Sequence, residues 1–303
     1  MTTSGLTEEQ KLKYERDGYL VVEDVFDAAK VKELSDAADD FVKRSASMTN
    51  SDGNFHLEWR DNSSKPTLQR VSLPSVINPL FEEIHHDTKL LDIVCDLIGP
   101  SVRYIQHDAL YFNFPQGGSF PIKWHQDWTF WPHTNKDLVV GFLSIDDSCK
   151  ENGCLQVIPG SHKGPFYNHF IEDKFASEIS DPMFDPSQAV HVEVPSGGIS
   201  FHHPFTVHGA AANQSDRSKR YFALSFTATD AWPLIGVVGK EGKLWGPVDW
   251  DRYRSTVVRG KASRFPRMET IPVSLPVPFS TESIAPFYAH ESKSIHGNPT
   301  NVL

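Results

Sequence analysis

Residues 102–114 read Val102-Arg103-Tyr104-Ile105-Gln106-His107-Asp108-Ala109-Leu110-Tyr111-Phe112-Asn113-Phe114, and the texture of the chain changes there. Two short runs of β-branched, aromatic and other apolar residues flank a polar break. Such runs read as strands. Further strand-like runs follow at Leu138–Ser144, Leu155–Ile158, His191–Val194, Ile199–Phe201 and Tyr221–Thr227, each bounded by Gly, Pro, Asn or Asp. Many short strands with such punctuation predict a β-sandwich or barrel.

Upstream, the chain reads as helical. Thr7-Glu8-Glu9-Gln10 has the form of a capping box, and Asp17-Gly18 ends the helix it starts. Tyr19-Leu20-Val21-Val22 reads as a strand. Asp27 is a cap for a second helix over 28–44, with Val31, Leu34, Ala38, Phe41 and Val42 on one face. Residues 45–66 are polar and read as loop. A third helix is expected over 79–98, stopped by Gly99-Pro100. The expectation is a mainly β fold with N-terminal helices. It is organised as one domain over 1–303: a helical buttress over 1–100, a core over 101–230 and a C-terminal extension over 231–303. Pro and Gly interrupt that extension repeatedly, and only Val248–Val258 reads as helical. It is expected to serve as a lid, an oligomer arm or a partly ordered tail.

Composition excludes several function classes. The 303 residues carry 29 Lys and Arg against 39 Asp and Glu, a net charge of −10. Nucleic acid and anionic membrane both need clustered positive charge, so neither is expected as a partner. No apolar run approaches the roughly 18 residues of a membrane span. The polar N-terminus does not read as a secretion signal, and Asn301-Val302-Leu303 is not a peroxisomal Ser-Lys-Leu. Three cysteines without a CxxC argue against a disulfide scaffold or a cysteine zinc site and favour a reducing compartment. A cytoplasmic location is the resulting expectation.

Fourteen histidines direct attention to spacing. In Trp124-His125-Gln126-Asp127-Trp128, strand alternation would turn His125 and Asp127 to one face. An imidazole beside a carboxylate can bind a divalent metal, although a surface histidine with an acidic neighbour has the same pattern. His208, in Val207-His208-Gly209, lies 83 residues further on. Two histidines and one carboxylate would form the facial triad that leaves three positions open on Fe(II). By spacing alone, His202 and His203 compete with His208.

Four stretches resemble the phytanoyl-CoA dioxygenase-like Fe(II)/2-oxoglutarate oxygenases. They are Asp17–Val22, Trp124–Asp127, Glu151-Asn152-Gly153-Cys154-Leu155-Gln156-Val157-Ile158-Pro159-Gly160-Ser161-His162-Lys163-Gly164, and Val207-His208-Gly209 followed by Asn213–Arg217. Together they span about residues 10–230. The resemblance implies a double-stranded β-helix (jelly roll) buttressed by helices, with His125, Asp127 and His208 as the metal ligands and catalytic centre. Asn152-Gly153 and Pro159-Gly160 then read as turns that shape the rim, with His162 structural.

The resemblance also implies Fe(II), with 2-oxoglutarate and O₂ as cosubstrates, and release of succinate and CO₂. The expected reaction is oxidation, most simply hydroxylation, of a C–H bond in a small, largely apolar organic molecule of secondary metabolism. Halogenases on this fold lack the carboxylate that Asp127 supplies, so oxygenation is expected here. Two other readings are a catalytically silent metal-binding jelly roll and a metal enzyme that does not use 2-oxoglutarate. In the family a basic residue, usually Arg, stands eleven positions after the second histidine and holds the distal carboxylate of 2-oxoglutarate. Here that position is Lys219, followed by Arg220 and preceded by Arg217. Lysine supplies charge without the planar fork of arginine. Strand parity leaves Lys219 and Arg220 both open. Trp124, Trp128, Phe130 and Trp131 are candidates for a substrate pocket, against the alternative that they are ordinary core aromatics. A homo-oligomer through the C-terminal extension is the remaining partner expectation.

Overall fold

The computed structural model describes residues 5–59, 64–115, 121–171, 174–234 and 250–273. The N-terminal part runs α1 (Glu8–Asp17), β1 (Tyr19–Val22), α2 (Ala28–Ser45), β2 (Phe55–Glu58), β3 (Thr67–Ser72), α3 (Pro74–Ile77), α4 (Pro79–His85) and α5 (Thr88–Ile98). Strands β4 (Val102–Tyr104), β5 (Ala109–Asn113), β6 (Ile122–His125), β7 (Leu138–Ser144), β8 (Leu155–Val157), β9 (Phe170–Ile171) and β10 (Lys174–Phe175) follow. They are succeeded by β11 (Val190–Val192), β12 (Ile199–His202), β13 (His208–Ala210), β14 (Lys219–Ala228), α6 (Trp250–Ser255) and β15 (Val257–Arg259).

The strands form a jelly roll. The larger sheet has the order β1-β12-β7-β14-β5-β3-β2, with β4 bridging β14 to β15. The smaller sheet has the order β11-β8-β13-β6, and all the pairings in both are antiparallel. The long β14 is the spine, running beside β7 from Tyr221↔Ser144 to Thr227↔Leu138. Its alternation sorts the interior. Phe222, Leu224 and Phe226 are fully buried and join the helices in the main core. Lys219 and Tyr221 face the other way, into the space between the sheets.

The helices start and stop where capping chemistry dictates. Thr7 and Gln10 close a capping box, and Gly18 ends α1 in the left-handed region at φ 77°, a conformation glycine adopts without penalty. Asp27 caps α2 through the Lys30 amide. The third helix departs from the expectation of one helix over 79–98. It breaks after His85 because Asp87 accepts from the Leu90 amide and so starts α5 afresh. Two further expectations are corrected. Residues 45–66 are not all loop, since Phe55–Glu58 pairs with β3, an edge contact that places Phe55 in the core. The helix expected over Val248–Val258 covers only Trp250–Ser255 within the described residues, and Val257–Arg259 instead pairs with β4. Most of the C-terminal extension, residues 235–249 and 274–303, lies outside the described residues.

Helices and large sheet meet at Phe222, whose ring lies 5.1 Å from Phe81 and 5.6 Å from His85 by centroids. Phe81 in turn stacks on Phe41 of α2. Removing a fully buried aromatic ring leaves a cavity that surrounding structure only partly fills. Phe222→Ala is therefore expected to lower the unfolding free energy by about 3–5 kcal/mol, measured by urea denaturation. A loss below about 1 kcal/mol would show that this junction does not hold the buttress to the sheet.

Candidate active site

Three donors converge between the sheets. His125 ends β6, and His208 begins β13 directly opposite it in register. Asp127 is not on the strand, as simple alternation predicted. It opens a short 3-10 turn over Asp127–Thr129, which swings its carboxylate back toward His125. Asp127 Oδ1 lies 3.4 Å from His125 Nε2 and 3.7 Å from His208 Nε2. The ligand atoms of all three side chains fall within 4.8 Å of one another, and all three residues are buried. Donor atoms this close together could hold a first-row metal ion.

Backbone carbonyls set the tautomers. His125 Nδ1 donates to the Lys123 carbonyl at 2.7 Å, and His208 Nδ1 donates to the Thr206 carbonyl at 2.9 Å. Each Nε2 lone pair is thereby directed at the cluster. Burial, reinforced by the neighbouring His125, holds the His208 imidazole well below its ordinary pKa. Burial would raise Asp127, but the neighbouring histidines, His208 foremost, outweigh it and hold the carboxyl well below its ordinary range. Neutral imidazoles beside a carboxylate are the donor state that a divalent metal requires. A set of two nitrogens and one oxygen fits Fe(II).

A small cavity lies between the sheets, farther along the strands that carry His125 and His208. Ala210, two residues beyond His208 on β13, lines it with Ile122, Leu155, Val192 and Val194. The large sheet contributes Phe142, Ser144, Ser200, Lys219 and Tyr221, and Ser148 completes the wall. Lys219 is buried, and its ammonium donates to the Gly153 carbonyl. Gly153 occupies the left-handed region at φ 75°, and a Cβ there would lie 2.3 Å from the Ala211 carbonyl oxygen. The turn that presents its carbonyl to Lys219 thus requires glycine.

The other two basic residues stand elsewhere. Arg220 points to the helix side, where it forks onto Asp146 at 2.8 Å and meets Asp39 at 2.7 Å and Ser35 at 2.9 Å. It clamps α2 to the sheet. Arg217 is a rim residue whose Nη2 lies 3.7 Å from Cys149 Sγ. His203 packs beside His162, and His162 donates to the Glu15 carbonyl at 3.2 Å.

Aromatic residues follow the metal turn. Phe130 sets its ring edge-on to His125 at 5.8 Å, and Trp124 is half-buried 6.1 Å from Phe184. Trp128 is fully buried, stacks on Phe205 and donates its indole N–H to the Pro272 carbonyl at 2.7 Å. Trp131 shares that cluster, which Ile271 helps to cover. Residues 267–272 thus cross the loop that carries Asp127. Arg267 pins the crossing segment with ion pairs to Asp137 and Asp230. Nothing in the sequence marks the contacts of Trp128 with Pro272 and of Asp137 with Arg267, which join residues more than a hundred positions apart.

Comparison with known proteins agrees with this geometry. The family model described as phytanoyl-CoA dioxygenase matches residues 14–221. The chain is 29% identical over 278 residues to a probable alpha-ketoglutarate-dependent hypophosphite dioxygenase from Stutzerimonas stutzeri, covering 90% of this chain and 93% of the relative. It is 24% identical over 250 residues to a probable phytanoyl-CoA dioxygenase from Caenorhabditis elegans, covering 77% and 79% respectively. Among solved structures it resembles SnoK, a non-haem alpha-ketoglutarate-dependent carbocyclase from nogalamycin biosynthesis. That match has a TM-score of 0.64 at 21% identity, covering 82% of this chain and 94% of that one. The epimerase SnoN, solved with Fe³⁺, alpha-ketoglutarate and nogalamycin RO, gives 0.62 at 21% identity, covering 86% and 97%. With the family match covering residues 14–221, and so His125, Asp127 and His208, the chain belongs to the phytanoyl-CoA dioxygenase family and is a dioxygenase of the non-haem iron, 2-oxoglutarate-dependent kind.

Proposed function

We propose that the protein couples decarboxylation of 2-oxoglutarate to oxidation of a C–H bond in a small, largely apolar organic molecule, as an enzyme of secondary metabolism. In this reading His125, Asp127 and His208 hold the iron, and Lys219 anchors the distal carboxylate of 2-oxoglutarate. The observation that carries the reading is a buried His-Asp-His donor set together with a buried ammonium that lines a cavity farther along the same pair of sheets. Iron held by these three residues would supply the chelation point for the keto acid and the redox chemistry toward O₂. The chain supplies the rest. Two carbonyl-fixed imidazoles and one carboxylate orient the open face, Lys219 binds the far end of the cosubstrate, and Phe130 excludes water beside His125. The neutral Ser144, Ser148, Ser200 and Tyr221 walls suit a carboxylate that has one charged partner.

A second reading of the substrate has one observation in its favour. Arg70 is buried opposite Tyr111 in register, and Tyr111 stacks at 4.9 Å on the cavity residue Tyr221. A guanidinium there suits a small oxyanion, the kind of compound named for the Stutzerimonas relative. Succinate release measured with apolar organic candidates and with small phosphorus or carboxylic oxyanions separates the two.

The triad makes the first test. His125→Ala, Asp127→Ala and His208→Ala are each expected to abolish Fe(II)-dependent succinate formation while the far-ultraviolet circular dichroism stays native. Full turnover in any variant would remove that residue from the metal site, and turnover in His208→Ala would point to His202 or His203. No chlorinated product is expected in chloride buffer, because Asp127 occupies the position a halide would need.

The anchor makes the second test. Burial lowers Lys219 to about 8, so the side chain is charged below that pH and neutral above it. The apparent KM for 2-oxoglutarate should hence rise about tenfold per unit as pH climbs past 8. Lys219→Arg, with a guanidinium that stays protonated, should flatten that rise. Arg220→Ala should leave the KM unchanged because its partners lie on the helix side. A wild-type KM independent of pH between 7 and 9.5, or the same rise in Lys219→Arg, would contradict the assignment.

A further inference from the structure

The carboxylate of Asp127 has two oxygens with different neighbours. Oδ1 faces His125 and His208, whereas Oδ2 lies 3.0 Å from Nε2 of His202. His202 is fully buried at the end of β12, opposite Tyr19 on one side and Val140 on the other. Its ring is wedged between Phe142, at 5.1 Å, and His208, at 4.4 Å. Two strands and two rings therefore hold it in one place.

We propose that His202 is a positioning residue that holds Asp127 to the metal through one oxygen. The inference rests on the reading of His125, Asp127 and His208 as the metal ligands. A carboxylate acceptor against Nε2 requires a donor there, which places the proton on Nε2. The buried Nδ1, which has no hydrogen-bond partner among the described residues, then carries a lone pair rather than an orphaned N–H. The reverse tautomer would leave a buried donor unmatched and set two acceptors 3.0 Å apart, a costly arrangement on both counts. With Oδ2 engaged, the carboxylate cannot rotate to present both oxygens to the ion. The position that a second oxygen would take stays open for cosubstrate or O₂. The same contact answers the competition among the histidines: the nitrogen that His202 could offer a metal is turned to Oδ2, outside the convergent donors.

Three variants test this against the null of simple packing. His202→Phe fills the ring's space without a donor, His202→Leu is a smaller apolar alternative, and His202→Gln keeps an N–H at a similar reach. The readout is the dissociation constant for Mn(II), followed by the electron paramagnetic resonance of the free ion, without 2-oxoglutarate or turnover. Thermal unfolding of the metal-free proteins selects the variants that are folded. Loss of the hydrogen-bond partner of a ligand typically weakens metal binding about ten- to a hundredfold. That loss is expected in Phe or Leu, with Gln returning to within about threefold of wild type. Unchanged Mn(II) affinity in a folded apolar variant would overturn the proposal, as would a loss in Gln equal to that in Phe. Failure of the wild-type protein to bind Mn(II), or unchanged binding in Asp127→Ala, would instead sink the triad reading beneath it.

Discussion

A single ionised carboxylate, buried among three imidazoles, sets the terms for the rest of this protein. Burying Asp127 without compensation would be costly, because an isolated charge in a low-dielectric interior has lost its water. Here His202 donates to one oxygen, and the other faces the Nε2 lone pairs of His125 and His208, an arrangement that a bound cation would balance. Those partners come from β6, β13 and β12, which belong to both sheets. The jelly roll is thus the frame that brings distant chain segments to one carboxylate. The site can form only when the two sheets close over each other.

The second constraint is the placement of positive charge. Lys219 and Arg220 are neighbours in the chain but face opposite sides of β14. One sits in the cavity between the sheets, and the other fastens α2 to the outer face. A pleated strand makes this separation unavoidable. The arginine, with its bidentate fork, satisfies two acidic partners on the helix side. The lysine, a point charge with a desolvated ammonium, remains for the interior. The departure from the family's usual arginine therefore has a local cost: a depressed pKa that arginine would not show.

Much of this was legible in the residues. The capping box and terminal glycine of α1, the Asp27 cap, the strand at Tyr19–Val22 and the change to β texture at residue 102 are all local chemistry. Each stands where local chemistry places it. His125 and His208 were legible through the resemblance, whereas spacing alone left His202 and His203 open. Parity could not separate Lys219 from Arg220 because it does not say which face of β14 meets the helices. Phe222 and its neighbours decide that by packing on Phe81 and His85. The break at His86-Asp87 was hidden by continuous apolar periodicity on both sides of a polar cap. Strand β2 was hidden because its pairing with β3 is a tertiary contact. The bond from Trp128 to Pro272 and the Arg267–Asp137 ion pair join segments far apart in sequence, beyond the reach of any local pattern.

The most direct test of the account is a crystal structure of the protein soaked with Mn(II) and 2-oxoglutarate. The account predicts manganese bound by His125 Nε2, Asp127 Oδ1 and His208 Nε2. It also predicts the distal carboxylate of 2-oxoglutarate within hydrogen-bonding distance of Lys219 Nζ. Manganese on any other donor set, or a distal carboxylate held by Arg217 or Arg220, would contradict it.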